Sequence, residues 1–368
     1  MKIAIVGTVG VPGRYGGFET LAENLVRQHQ AEAVAADLTV YCSAQPKEHR
    51  PARYLDADLR YSRFKANGFQ STIYDAVTLV DAARNGQDVT LVLGVSGAIA
   101  LPLIRLFSPM RIVTNVDGIE WRRDKWKGPA RHFLRLSEWM AVRFSHEIVA
   151  DNQGIADHLR QAYGVVADVI AYGGDHAVAG AAAASGPGAV SLPAGYALSL
   201  CRIEPENNVA AILEAFASAG RPLVFVGNWN NSAYGRALRA EFGALGNLRL
   251  LDPVYETDAL YRLRSGAGLY VHGHSAGGTN PSLVEMMHFG IPILAFDCVY
   301  NRHTTENAAD YFSSAADLAR LAQSPIDPAM GTQLRETARR LYSWHQIGRQ
   351  YFDLLGVTAA EPAREAAE

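Results

Sequence analysis

The chain has 368 residues, of which 49% are apolar by the broad count and 19% are charged. That balance excludes a disordered tail, a collagen-like chain and a coiled coil, and the length suits about two domains with full cores. A formal net charge of −3, from 34 basic and 37 acidic residues, lacks the basic excess of a dedicated nucleic-acid binder.

Residues 2–7 form a short apolar run closed by glycine, as in a buried parallel strand, and too short for the core of a signal peptide. A glycine-rich loop follows, then a helix over about 18–30. Runs at 38–42, 89–93, 111–115 and 147–150 read as strands, with helices around 75–84 and 130–144 between them. Strand–helix alternation predicts an α/β fold with a parallel, doubly wound sheet. Residues 179–193, rich in Ala and Gly, read as a linker. The alternation then restarts, with strands expected at 197–201, 222–227, 248–251, 268–272 and 291–296 and a helix at 208–217. The expected organisation is two Rossmann-like domains, 1–178 and 194–342, facing a cleft, with ligands beyond the carboxyl ends of the strands. The longest apolar stretch, 91–104, contains Gly94, Gly97 and Pro102 and is too short to span a bilayer. Cys42, Cys201 and Cys298 stand too far apart for a metal pair or a disulfide framework, which fits a reducing cytoplasm.

Four stretches carry candidate chemistry. The first loop, GTVGVPGRYGG at 7–17, lies between a strand and a helix, the usual setting of an anion cradle. Its first glycines are three apart, and the second strand ends without an acidic residue, so it departs from the dinucleotide fingerprint. Gly16 and Gly17, just before the helix, allow close approach of a ligand; the plainer reading is a tight turn. After the strand at 111–115 come Asp117, Glu120, Trp121 and Arg122. Acids at a strand's carboxyl end and flat aromatic faces suit a sugar, while a solvated helix face with core tryptophans is the alternative. Basic residues continue through Lys127, Arg131 and Arg135, a pattern that suits membrane phosphate. In the second half, Arg202 follows a strand and precedes a helix, where a guanidinium can hold a diphosphate or simply pair with Glu204 or Glu206. The fourth stretch, HGHSAGGTNP at 272–281, opens a helix that carries Glu285 about one turn in. His272 and His274 share a strand face, but no third ligand follows closely, so no metal site is expected. Asp56 and Asp58 resemble a metal-binding carboxylate pair, yet they read as polar surface with no strand before them.

The ordered set GTVGVPGRYGGFET, NVDGIEWRRDKW, RIEPENN and HGHSAGGTNPSLVE, with YSWHQIGRQY near the end, resembles the GT-B glycosyltransferases of glycosyltransferase family 4. Within them it is most similar to the bacterial branch containing rhamnosyltransferases of polysaccharide assembly. The resemblance implies a retaining transfer from a nucleotide-diphosphate sugar without a metal or other cofactor, and a closing helix (343–357) that packs back on the first domain. It implies that Arg202 binds the donor diphosphate, that Glu285 holds the ribose, and that Gly16 and Gly17 face the donor and acceptor. His274, Gly278, Thr279 and Asn280 complete the expected donor site. Two positions depart from the family: its lysine is Asn207 here, and the first glutamate of its pair is Gly277. Backbone amides of 277–280 and the helix dipole are expected to replace part of that charge. The branch implies dTDP-rhamnose as donor and a saccharide on a polyprenyl diphosphate as acceptor, with peripheral contact at the inner membrane face and no nucleic acid. Asp117 is expected to orient the acceptor hydroxyl, beside Glu120, Trp121 and Arg122. Two other readings remain: a nucleotide-sugar 2-epimerase of the same fold, and a non-catalytic GT-B partner subunit.

Overall fold

The computed structural model describes residues 1–13, 16–123, 126–179 and 192–357. Most of the expected linker, residues 180–191, lies outside the described residues, as do Arg14, Tyr15, Asp124, Lys125 and the tail 358–368. The chain divides into two compact units, one of Met1–Ala171 with Trp344–Glu368, the other of Tyr172–Ser343.

The first unit alternates β1 (Lys2–Val6), α1 (Gly17–Ala31), β2 (Asp37–Cys42), β3 (Arg53–Tyr54), β4 (Ala57–Tyr61), α2 (Ser71–Arg84), β5 (Val89–Leu93), α3 (Leu101–Phe107), β6 (Arg111–Val116), α4 (Gly128–Phe144), β7 (Glu147–Ala150), α5 (Gln153–Tyr163) and β8 (Asp168–Val169). Its sheet has the order β3-β4-β2-β1-β5-β6-β7-β8, parallel throughout except for the β3–β4 hairpin. Central strands β1 and β5 are almost wholly apolar because helices cover both faces of the sheet. On α1 the buried residues Leu21, Leu25 and His29 recur every four positions, one stripe of an amphipathic helix. Asn152 caps α5 by accepting from the Gly154 N–H, and Gly164 closes that helix with φ 69°.

The second unit continues with β9 (Ala197–Leu200), α6 (Val209–Ala219), β10 (Leu223–Val226), α7 (Ala233–Phe242), β11 (Leu248–Leu251), α8 (Thr257–Ser265), β12 (Leu269–His272), α9 (Pro281–His288), β13 (Ile293–Phe296), α10 (Val299–Thr304), β14 (Asp310–Phe312), α11 (Ala315–Gln323) and α12 (Pro328–Leu341). Its sheet is parallel, in the order β11-β10-β9-β12-β13-β14. Phe216, Phe225, Trp229 and Phe312 form much of the core on one face.

Two sequence readings need correction. The domain boundary placed after residue 178 falls at 171/172. The segment beyond it is tied to the second unit: the Gly174 N–H donates to the Tyr342 carbonyl at 2.8 Å, and His176 pairs with Glu285 at 3.1 Å. The segment around Asp56 and Asp58 is surface as expected, with Asp58 exposed, but a strand does precede them: it is a hairpin, with Asp56 in its turn and Asp58 on β4. Ala57 and Leu59 point inward while Asp58 and Arg60 point out, a period-2 signal too short to stand out in sequence. Asp56 is engaged by His29 at 2.6 Å and Asp58 by Arg53 at 3.0 Å.

The last helix, α13 (Trp344–Leu355), belongs to the first unit and packs on α1. Its buried residues Trp344, Ile347, Tyr351 and Leu355 share one face. Gly348 permits the close approach: a Cβ there would stand 2.9 Å from the Gln28 side chain. Tyr351 is fully buried, and its hydroxyl accepts from the Asn115 amide on β6 at 2.6 Å. Among the described residues no helix is long and apolar enough to cross a membrane. Replacing Tyr351 by Phe leaves the Asn115 amide without that acceptor inside the core. We expect Tyr351→Phe to cost about 1–3 kcal/mol, seen as a lower urea midpoint with an unchanged slope.

Candidate functional site

Both sheets reverse direction beside their first strand. The chain runs outward from β1 through β2, then returns to the other side of β1 at β5; in the second unit β12 returns beside β9 in the same way. At such a switch point the loops leaving two neighbouring strands part, and a crevice opens at their carboxyl ends.

In the second unit the expected donor residues gather at that place. Arg202 follows β9, its side chain 46% exposed and only loosely held by Glu204 at 3.7 Å. A guanidinium so placed can turn its N–H fork to an incoming anion. Asn207 is buried: its amide donates to the Arg202 carbonyl at 2.7 Å, and its oxygen meets His274 Nδ1 at 2.6 Å. The loops after β9 and β12 are further joined by Ser275, whose N–H and hydroxyl both donate to the Glu206 carbonyl. Where the resemblance leads one to expect a lysine, this chain has an amide that braces two loops.

Gly277 has φ +105°, a backbone conformation that a side-chain-bearing residue rarely adopts, and a Cβ there would lie 3.2 Å from His274 Nε2. The missing glutamate is thus a matter of backbone as well as side chain. Gly278 and Thr279 are both buried before α9. Asn280 caps α9, its oxygen accepting from the Ser282 N–H at 3.0 Å and the Ser282 hydroxyl at 2.7 Å. The Leu283 N–H already donates to the Asn280 carbonyl, and Pro281 has no N–H, so part of the expected anion cradle is used by the helix itself.

Glu285 is buried between two basic side chains that the sequence reading missed. Arg264 on α8, itself buried, donates to one carboxylate oxygen, and His176 Nε2 lies 3.1 Å from the other. Burial pushes the carboxyl pKa up, but Arg264 and His176 outweigh it and hold the group below its ordinary value. Nothing in the local sequence links 176 or 264 to 285; only the fold does. Beside them His272 is buried, and burial together with His274 keeps its pKa well below the ordinary value, so the ring is neutral at pH 7.

In the first unit the glycine loop differs from the expected anion cradle. The Val9 N–H donates to Glu19 at 2.9 Å and the Gly13 N–H to Glu23 at 2.7 Å. Two amides that would face a phosphate are taken by carboxylates four residues apart on α1. Gly16 and Gly17 remain at the start of that helix. Next to the switch point, Asp75 on α2 is buried and accepts from the Ser96 hydroxyl in the loop after β5. Burial raises its pKa to about 7, against which Ser96 acts only weakly.

Asp117 is exposed just past the carboxyl end of β6. Its expected companions are less open. Glu120 accepts from Trp126 Nε1 at 2.8 Å and Arg123 at 3.0 Å, which fixes the loop on itself. Trp121 Nε1 donates to Glu138 at 3.0 Å, and its ring lies under the guanidinium groups of Arg122, Arg131 and Arg135. Glu138, 1% exposed, also accepts from Tyr163 at 2.6 Å and pairs with His158 at 3.1 Å. An open pocket borders this cluster, lined by Trp121, Arg122, Arg135, His158 and Tyr163. Another pocket, lined by Arg221, Gly268 and Ile291, lies at the amino ends of β12 and β13, the wrong edge of the sheet for a ligand site.

Residues 1–175 match the model of a family described as a domain of unknown function (DUF1972). No curated protein matches the sequence. Among solved structures, the chain is similar to sucrose-phosphate synthase from Thermosynechococcus elongatus, with TM-score 0.75 and 14% identity over 96% of this chain and 98% of that one. It is similar to Anabaena HepE in complex with UDP-glucose, with TM-score 0.67 and 14% identity over 97% and 99% of the two chains. It is also similar to a putative UDP-N-acetylglucosamine 2-epimerase from Listeria monocytogenes, with TM-score 0.60 and 13% identity over 96% and 95%. At these identities the likeness is one of fold, and the fold is GT-B.

The buried carboxylates Glu285 and Asp75 predict different responses. Arg264→Leu strands the Glu285 charge and should cost about 3–5 kcal/mol, whereas Arg202→Ala, at the surface, should stay within about 0.5 kcal/mol; chemical denaturation of both variants measures the contrast. Asp75 keeps in the folded state a proton that the unfolded chain, near the ordinary value of 3.8, has released. Its contribution to stability therefore falls as pH rises from about 4 to about 7 and is flat above. The melting temperature of Asp75→Asn, relative to the parent protein, should accordingly climb across that window.

Proposed function

We propose that the protein is a glycosyltransferase that moves a sugar from a nucleotide diphosphate to a saccharide acceptor. The observation that carries this reading is the half-exposed guanidinium of Arg202 at the β9/β12 switch point, with Asn207, His274 and the 277–280 loop braced beside it. Support also comes from the similar structures, one of a sucrose-phosphate synthase and one holding UDP-glucose.

In this reading Arg202 neutralises the leaving diphosphate, where charge develops as the glycosidic bond breaks. Glu285 receives the ribose. His176, 37% exposed, can yield its place on the carboxylate to a ribose hydroxyl, while Arg264 keeps the carboxylate ionised. Asp117, with Trp121 and Arg122, holds the acceptor and orients its hydroxyl, so positioning rather than a covalent nucleophile lowers the barrier. Transfer is retaining and needs no metal. The donor is a 6-deoxy sugar such as rhamnose on dTDP: a glycine at 277 offers no carboxylate, and a sugar with fewer hydroxyls asks for fewer polar partners. The acceptor is a saccharide on a polyprenyl diphosphate, used in bacterial surface polysaccharide synthesis at the cytoplasmic side. The likeness to a putative 2-epimerase supports a second reading, epimerisation of the nucleotide sugar itself. Turnover of the donor without any acceptor distinguishes it.

Calorimetry with dTDP and UDP tests the donor site. Arg202→Ala should weaken binding about ten- to a hundred-fold, and Glu285→Gln less. Asp117→Asn should keep nucleotide affinity and lower turnover, and turnover should survive EDTA. If Asp117→Asn abolished nucleotide binding while Arg202→Ala left it intact, the reading would fail; no nucleotide binding at all would leave a non-catalytic partner subunit.

A further inference from the structure

We propose that His272, the last residue of β12, is a donor-site residue that takes up a proton as the nucleotide diphosphate binds, and so supplies the positive charge that position 207 lacks. The inference rests on the sugar-transfer reading above and adds to it one residue and one proton. The ring sits where the charge is missing. In the pairing of β9 with β12, Leu198 stands opposite Tyr270. Two residues on, the same register sets His272 against Leu200, the last residue of β9 and two before Arg202. The next residue, Gly273, presses on the loop after β9. A Cβ there would stand 2.2 Å from the Asn207 carbonyl oxygen, and the Gly273 carbonyl accepts from the Asn208 amide at 2.8 Å. His272 thus lies at the base of the joint that Asn207 braces.

The residue is 3% exposed, and its two ring nitrogens differ. Nδ1 lies 3.5 Å from the Tyr270 hydroxyl, which also reaches Ser282 on α9 at 3.3 Å. Nε2 is buried and has no hydrogen-bond partner among the described residues. Native structures keep few such orphans, because an unmatched buried polar atom is destabilising. A phosphate oxygen at the β9/β12 crevice would supply the partner. The titratable groups around this end of the sheet are His274 on its own loop, Cys201 after β9, Cys298 after β13, and Glu285 on α9 with its partners Arg264 and His176. His274 opposes a second positive charge, and burial holds both thiols protonated. The Glu285 carboxylate is already matched. Further out, Arg202 pairs with Glu204 and Asp297 with Arg302. Nothing there holds a proton on His272 in the free protein. A diphosphate would, because negative charge close to a desolvated imidazole favours the imidazolium. A lysine would be a standing cation; the histidine is charged only with its ligand in place. The proton comes from solvent, the diphosphate keeps its charge, and no covalent bond to carbon or phosphorus changes.

The test is calorimetry of the full chain with dTDP and UDP near neutral pH, in buffers of low and high ionisation enthalpy. The difference in observed enthalpy counts the protons exchanged. The Gln side chain of His272→Gln can still donate a hydrogen bond but cannot titrate, so this variant should take up fewer protons than the parent, by up to about one per nucleotide. The ligand raises the His272 value, so its contribution to binding is full below the free value and is lost as pH rises through the bound one. The affinity of the parent relative to His272→Gln should therefore grow by up to about ten-fold per pH unit as pH is lowered between the two. Should His272→Gln fail to fold, nitrogen-15 shifts of the parent's histidine rings read the same event: one ring that is neutral in the free protein should become doubly protonated at saturation. No ring changing state overturns the proposal. So do equal proton counts for parent and variant, or an uptake that disappears instead with His274→Gln or His176→Gln; in these cases nucleotide binding, and the sugar-transfer reading with it, still stands. Failure of the parent to bind either nucleotide overturns both.

Discussion

A parallel strand cannot be followed directly by its neighbour; the chain must cross over the sheet, and it does so with one hand. In both units this constraint, applied outward from β1 and β9 in two directions, leaves one pair of adjacent strands with loops that part. The consequence for chemistry is immediate. Residues far apart in sequence, such as Arg202, His274 and Glu285, come to one edge of one sheet because β9 and β12 are neighbours there. The helices that enforce the crossover also begin at that edge, so their caps and first turns lie at the candidate site.

Charge buried at these edges is handled differently in the two units. In the second, Glu285 is compensated by Arg264 and His176, so the group stays ionised in a desolvated place. In the first, Asp75 has a single hydroxyl partner among the described residues, and burial wins. Glu138 is a third solution, accepting from an indole and a phenol beside an imidazole and thereby fixing Trp121 under three arginines. The same side-chain type thus serves as ionised anchor, raised-pKa acid and structural hub, according to what the fold places beside it.

The two-unit α/β architecture was legible because central strands are continuous apolar runs and helices carry a four-residue stripe. The short elements escaped: β3, β8 and β14 hold two or three residues each, and β4 alternates over only five. Residues of the candidate site that lie in one loop, such as Asn280 capping its own helix, could be read locally. Those whose meaning depends on a distant partner could not. His176 and Arg264 have no local signal pointing to Glu285, and Asp75 becomes notable only when Ser96 is brought to it. The glycine loop was read as amides awaiting an anion. The carboxylates that occupy two of them, Glu19 and Glu23, were in view in the sequence, but their direction was not.

The return of α13 to the first unit also sets an order of events as the chain is made. Gly174 and Tyr342, near the entry and exit of the second unit, are hydrogen-bonded to each other, so that unit closes on itself as an insert. The first unit emerges earlier but stays unfinished: α1 lacks its covering helix and Asn115 its phenol until the last described residues have been synthesised. Domains usually complete themselves from the amino end during synthesis. Here the inserted unit holds all its own elements before the one that began first, and a chain truncated after residue 343 would carry a complete second unit and a first unit with an open groove.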